Sequence, residues 1–173
     1  MCANNRLRVL LLILGACLAG CESAPIRAVT DSFQELVYKS RSKGETESTS
    51  TDSVRRELGC NERHPFELHL EQSEVVPRRI KGGREISHRI VYAACTPNDA
   101  IQTHSLVRRI THGGRVMFED RDRKFALKPG RWTVDAFVGI PPATAPGTYA
   151  LEVAIELRSG ASKKLRLEFE VTQ

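Results

Sequence analysis

The chain reads as an all-β protein: an antiparallel β-sandwich of about seven or eight strands, preceded by segments of different composition. Three observations predict this. Apolar and polar residues alternate at period two in several separate stretches, the pattern of strands with one buried face. Glycine- and proline-containing turn signals punctuate those stretches at short intervals. No long helical pattern competes with them.

The first element is an apolar run from Val9 to Cys21, preceded by Arg6 and Arg8. Its thirteen residues fall short of the about 20 that a helix needs to cross a bilayer core. A basic start, a short apolar centre and small residues at the end form an export signal, assigned to residues 1–20. No later stretch is apolar enough to be a span.

Leu18-Ala19-Gly20-Cys21 resembles the lipobox of bacterial lipoproteins, in which an aliphatic residue and small residues precede a cysteine. The resemblance implies cleavage before Cys21, acylation of its thiol, and acylation of the new amino terminus. Buried methylenes contribute about 0.8 kcal/mol each, so two or three such chains make a stable anchor. Glu22 follows, rather than an aspartate. That implies the outer membrane, with the folded part facing the periplasm or the cell surface.

The net charge of +5 falls to +3 once Arg6 and Arg8 leave with the signal. A surplus this small argues against a polyanion partner, and nucleic acid is not expected. Of five cysteines, Cys2 and Cys17 depart with the signal and Cys21 carries lipid, leaving Cys60 and Cys95. In an oxidising compartment these read as one disulfide. Closing a loop of about 36 residues stabilises by about 3–4 kcal/mol in the chain-entropy model. The alternative is a metal site of Cys60, His64 and Cys95, which lacks a second paired motif and a clear fourth ligand. No metal or cofactor is expected.

Residues 21–58 read as the lipidated cysteine and a flexible tether, ahead of a domain at 59–173. Phe33, Leu36 and Val37 suffice for a short helix or strand, but Lys39 to Ser53 contains no apolar residue. Such composition does not bury enough surface to offset the entropy of ordering. About 20 flexible residues have a root-mean-square reach of roughly 25 Å.

From Cys60 onward the strands follow in order. Phe66, Leu68 and Leu70 share a face, opposite Glu67 and His69. Ile86, Ile90 and Tyr92 share the next, with His88 among them. Trp132, Val134, Ala136 and Val138 align, as do Tyr149, Leu151, Val153, Ile155 and Leu157. The last strand sets Leu165, Leu167, Phe169 and Val171 against Lys164, Arg166, Glu168 and Glu170. Gly82-Gly83, His112-Gly113-Gly114, Lys128-Pro129-Gly130, Pro146-Gly147 and Ser159-Gly160 separate these runs, the last closing a terminal hairpin.

Val75-Val76-Pro77, Gly82-Gly83, the strand holding Ile86, Ile90 and Tyr92, and Pro146-Gly147-Thr148-Tyr149-Ala150-Leu151 resemble bacterial immunoglobulin-like or fibronectin-like modules. The resemblance covers about residues 64–173 and implies an Ig-like antiparallel β-sandwich. It implies that Tyr149 hydrogen-bonds back across a corner. Two features depart from the antibody pattern. No cysteine follows Tyr149, and Trp132 lies on a later strand than the antibody core tryptophan.

Catalytic motifs are sparse. Neither a GxSxG elbow nor an HExxH pair occurs, and His64, His69, His88, His104 and His112 are scattered along the chain. On its apolar strand face, His88 reads as a hydrogen-bonded core residue. Glu152 and Glu156 fit a solvated strand face. Arg108, Arg109, Arg115, Arg121, Arg123 and Lys124 form a candidate basic edge for lipid phosphates or an acidic partner. Interleaved Glu119, Asp120 and Asp122 weaken that edge, and arginines also blunt strand edges against aggregation. The proline-rich Gly139–Gly147 stretch reads as a connection between the two sheets.

The expected protein is thus a membrane-anchored, non-catalytic binding or scaffolding module of the cell envelope, meeting an envelope protein or glycan. The alternative is an envelope enzyme or ligand-capture protein whose site is assembled only in three dimensions.

Overall fold

A computed structural model describes residues 33–173. The signal segment, Cys21 and residues 22–32 lie outside the described residues.

Residues 33–40 are helical (α1). Then follow β1 (Gly44–Thr49), α2 (Thr51–Leu58), β2 (Glu67–Val76), β3 (Arg79–Lys81) and β4 (Glu85–Cys95). After a 3₁₀ turn at Pro97–Asp99 come β5 (Gln102–His112), β6 (Arg115–Leu127), β7 (Gly130–Gly139), β8 (Gly147–Glu156) and β9 (Ser162–Thr172). The strands form an all-β sandwich of two sheets, ordered β1-β7-β4-β2 and β3-β9-β8-β5-β6. Neighbours are antiparallel except β3 and β9, which run parallel.

The period-two pattern decides what lies between the sheets. Ile86, Ile90, Tyr92 and Ala94 of β4 pack with Leu106 and Ile110 of β5, and with Tyr149, Leu151, Val153 and Ile155 of β8. Phe169 and Val171 of β9 complete that core, and β2 packs along β9 to close one margin. The proline-rich connection crosses from β7 in one sheet to β8 in the other. There Gly82 is obligatory, because a Cβ would stand 2.7 Å from the carbonyl oxygen of Pro142.

The stretch read as a tether is a correction. Residues 33–58 are ordered on the four-stranded sheet. β1 carries no apolar side chain, yet it pairs with β7 from Gly44↔Asp135 to Thr49↔Arg131. An edge strand needs only backbone partners, which a composition argument does not count. α2 buries Val54 against Ala93 and Cys95, making a small second core on the outer face. Gly59, left-handed at φ 68°, caps its carboxyl end. Tyr38 meets Phe137 edge-on at 5.6 Å, and Arg41, 7% exposed, bonds Ser87 Oγ at 3.4 Å and pairs with Glu74. With the three-residue β3, β1 raises the strand number among the described residues to nine.

The Cys60–Cys95 disulfide is present, with Cα atoms 6.5 Å apart, and joins the end of α2 to the end of β4.

Candidate functional site

The six basic residues of the β5–β6 hairpin do not form one patch. Adjacent strand residues point to opposite faces, so Arg108 and Arg109 part company. On the outer face, Arg109 Nε bonds Glu119 Oε2 at 2.6 Å and Arg121 Nε bonds Glu119 Oε1 at 3.2 Å. Arg121 also pairs with Glu156, and Arg109 Nη2 lies 3.6 Å from the same carboxylate. These guanidiniums hold the Glu119 carboxyl below its ordinary pKa, first Arg109 and then Arg121. Two cations and two anions alternate there, so the group presents little net charge. Arg115, Arg123 and Lys124 are exposed along the strand.

Arg108 turns inward. Its Nη1 bonds Asp120 Oδ2 at 3.1 Å, its direct partner in the β5–β6 register, and its side chain is 10% exposed. Its Nε is buried with no protein acceptor. Around it opens a cleft of about 350 Å³ between the sheets, at the margin where β1 and β6 are the end strands. Leu106, Phe125, Val134, Ala136 and Val138 contribute its apolar lining; Lys43, Glu45, Asp120 and Asp122 contribute charge. The cleft exists because most of β6 is uncovered: residues 115–124 stay at least partly exposed, while Phe125 and Leu127 are buried.

His88 stands beside this cleft, paired in register with the cleft residue Ala136. Its Nε2 is 3.1 Å from Ser73 Oγ, and its Nδ1 is buried without a partner. Burial pushes its pKa down to about 3; the charges of Arg108 and Arg41 add to this and Asp135 opposes it. His88 is therefore neutral, and can accept or donate at Nδ1 according to tautomer. Asp135 itself is held on the outer face by a two-bond contact from Arg89, both at 2.8 Å.

The other histidines are dispersed. His104 and His112 lie at opposite ends of β5, roughly 26 Å apart by strand rise. Arg158 N donates to His104 Nδ1 at 3.4 Å, and burial lowers the His104 pKa. His112 Nδ1 bonds Thr148 O at 2.9 Å and its ring stacks on Tyr149 at 4.4 Å. His69 is exposed beside Glu67, and His64 lies in a turn bridged to Asn61.

Sequence reasoning named Arg108 but assigned it to an outward basic edge. It missed Lys43, Asp122 and the apolar lining as parts of one place. The strand pattern was legible, but the exposure of β6 over residues 115–124 was not.

No protein-family profile matches the chain, and no curated protein matches it in sequence. Among solved structures, it is similar to the sporulation control protein Spo0M of Bacillus subtilis, at TM-score 0.44 and 12% identity over 63% of this chain and 50% of that one. It is similar to the Pseudomonas fluorescens alkylpurine DNA glycosylase AlkC, at 0.45 and 19% over 72% of this chain and 34% of that one. A superoxide reductase (neelaredoxin) from Ignicoccus hospitalis gives 0.40 and 14%, over 61% and 82%. The chain thus spans half of the sporulation protein's length and about a third of the glycosylase's.

Proposed function

We propose that the protein is a lipid-anchored, non-catalytic binding module of the cell envelope, an accessory subunit that meets its partner at the inter-sheet cleft. The lipobox at Leu18–Cys21 supports the anchor, and the Cys60–Cys95 disulfide accords with an oxidising compartment. The Ig-like reading is supported by Tyr149, whose hydroxyl donates back to Ala145 O at 2.8 Å, the corner contact that the resemblance implied. The separation of His104 from His112 and the burial of His88 favour binding over chemistry.

The observation that carries the proposal is Arg108. A buried guanidinium nitrogen without an acceptor costs free energy, and a carbonyl or carboxylate entering the cleft relieves that cost. The apolar lining supplies area for a partner side chain, while Lys43, Asp120 and Asp122 add polar contacts.

Photocrosslinking residues placed at Lys43 and at Asp122 in cells test the site, with Lys164 on β9 as the control. The same adduct should form from both cleft positions, disappear in Arg108→Met, and be absent from Lys164. Asp120, the carboxylate partner of Arg108, has a side chain 51% exposed, so Arg108→Met leaves no buried charge uncompensated, and the far-UV circular dichroism of the variant should match the wild type. Adducts that persist in Arg108→Met, or form equally from Lys164, reject the cleft. For the anchor, acyl label on the wild type and none on Cys21→Ala is expected; an unlabelled wild type rejects it.

A further inference from the structure

One end of the sandwich concentrates exposed apolar side chains and basic residues. Registers place its parts together. Gly147 at the start of β8 lies opposite Val171, which pairs with Ile80 of β3. The β5–β6 turn lies at the same end, because His112 bonds Thr148 O. The Gln34 side chain of α1 accepts from Arg78 N at 2.8 Å, so α1 also sits there. Across the sheet, β3 and β6 are four strand spacings apart, roughly 19 Å.

Six large apolar side chains are exposed among the described residues, and five belong to this end: Phe33 and Leu36 of α1, and Val116, Met117 and Phe118 of β6. Their exposures run from 45% to 67%. Three consecutive exposed apolar residues on a strand have no folding rationale. Here the register shift between Ile110 and Thr111 makes Met117 an extra residue, a bulge that re-aims the run. Arg78, Lys81, Arg84 and Arg115 are exposed at this end with no carboxylate partner among the described residues. Glu170 and Glu35 are occupied by Arg79 and Lys39, leaving Glu85 as a counter-charge.

We infer that this end rests on the surface of an anionic bilayer, with the Val116–Phe118 bulge and α1 dipping into the headgroup region. The inference rests on the Cys21 anchor proposed above. Twelve residues lead from Cys21 to Phe33, which limits the separation to about 40 Å even at full extension. The chain therefore enters the domain at the end that carries the apolar and basic groups. Apolar insertion and attraction of basic residues to anionic lipid are the two contributions that hold interfacial segments. Such contact turns the inter-sheet margin at β1 and β6 sideways, parallel to the membrane surface.

The test is tryptophan quenching in the full chain, with vesicles of phosphatidylethanolamine and phosphatidylglycerol doped with brominated phosphatidylcholine. Met117→Trp should lose about half or more of its added emission. Ile101→Trp, at the far end of β5, should lose none, nor should the native Trp132. Replacing phosphatidylglycerol by a zwitterionic lipid should weaken the quenching. If the protein is acylated at Cys21 and floats with the vesicles while Met117→Trp stays unquenched, the inference fails and the anchor stands. Quenching without acylation overturns the anchor and keeps the membrane contact; neither acylation nor quenching overturns both.

Discussion

The imidazole of His88 on β4 stands 3.1 Å from the hydroxyl of Ser73 on β2, inside a core that leaves the histidine fully buried. This contact replaces one of the two hydrogen bonds that the ring loses on leaving water, and the Nδ1 side is left without a partner. The charged form has no carboxylate in direct contact, and Arg108 and Arg41 repel it while Asp135 only partly compensates.

Stability should therefore fall in mild acid. His88 titrates near 6.5 when unfolded and at about 3 when folded, so the unfolded chain binds the extra proton between those values. That makes stability highest above about pH 6.5 and erodes it as pH drops toward 3, by at most about 1.4 kcal/mol per pH unit for this group. Urea midpoints at pH 7 and pH 4.5 measure the loss. In His88→Leu the drop between the two should shrink; an unchanged drop assigns acid sensitivity to the carboxylates instead.

The disulfide fastens α2 to the sheet as well as shortening the unfolded chain. Cys60 and Cys95 are 35 positions apart, and the cluster they border contains Val54 and Ala93. Cys60→Ser with Cys95→Ser should cost about 3 kcal/mol in guanidinium unfolding. Hydrogen exchange should quicken most in residues 51–58. Loss of stability with unchanged exchange there would mean that α2 is held by Val54 and its ion pairs alone.

Arg131 of β7 is the second fastener of the outer face. Its guanidinium bonds both oxygens of Glu71, at 2.8 and 2.9 Å, and Glu57 of α2 at 2.7 Å. The side chain is 19% exposed, and these carboxylates raise its already high pKa, Glu71 more than Glu57. Arg131→Ala should lower stability by about 1–2 kcal/mol, with exposure of Glu57 limiting the effect. Arg131→Lys should recover less than half, since an ammonium lacks the planar fork. Full recovery by lysine would reduce the contact to simple charge attraction.

Much of the sandwich was legible in the chain because period-two alternation reports burial directly. β4 spans Glu85–Cys95, the stretch marked by Ile86, Ile90 and Tyr92, and the hairpin at Ser159-Gly160 joins β8 to β9. β1 was not legible, since its Gly-Glu-Thr-Glu-Ser-Thr sequence buries no side chain and is held by the backbone of β7. α2 did carry a readable signal: Asp52 in its first turn, Arg55 and Arg56 in its last, and Gly59 just beyond. Its low apolar content masked that signal, because Val54 is its one buried residue.

By itself the sequence determined the alternating faces, the turns between them and the position of Cys60 and Cys95 at either side of the first strand pair. It also determined that His88 falls on an inward face, because parity along a strand depends only on local spacing. Only the tertiary structure decided which strands are neighbours, that β3 runs parallel to β9, and that β6 overhangs an open margin. The reason is physical: a strand's pattern specifies a buried side but not the partner that buries it. Arg108 shows the consequence. Its charge was visible in the chain, whereas its pairing with Asp120 and its unfilled Nε depend on a register set across the sheet.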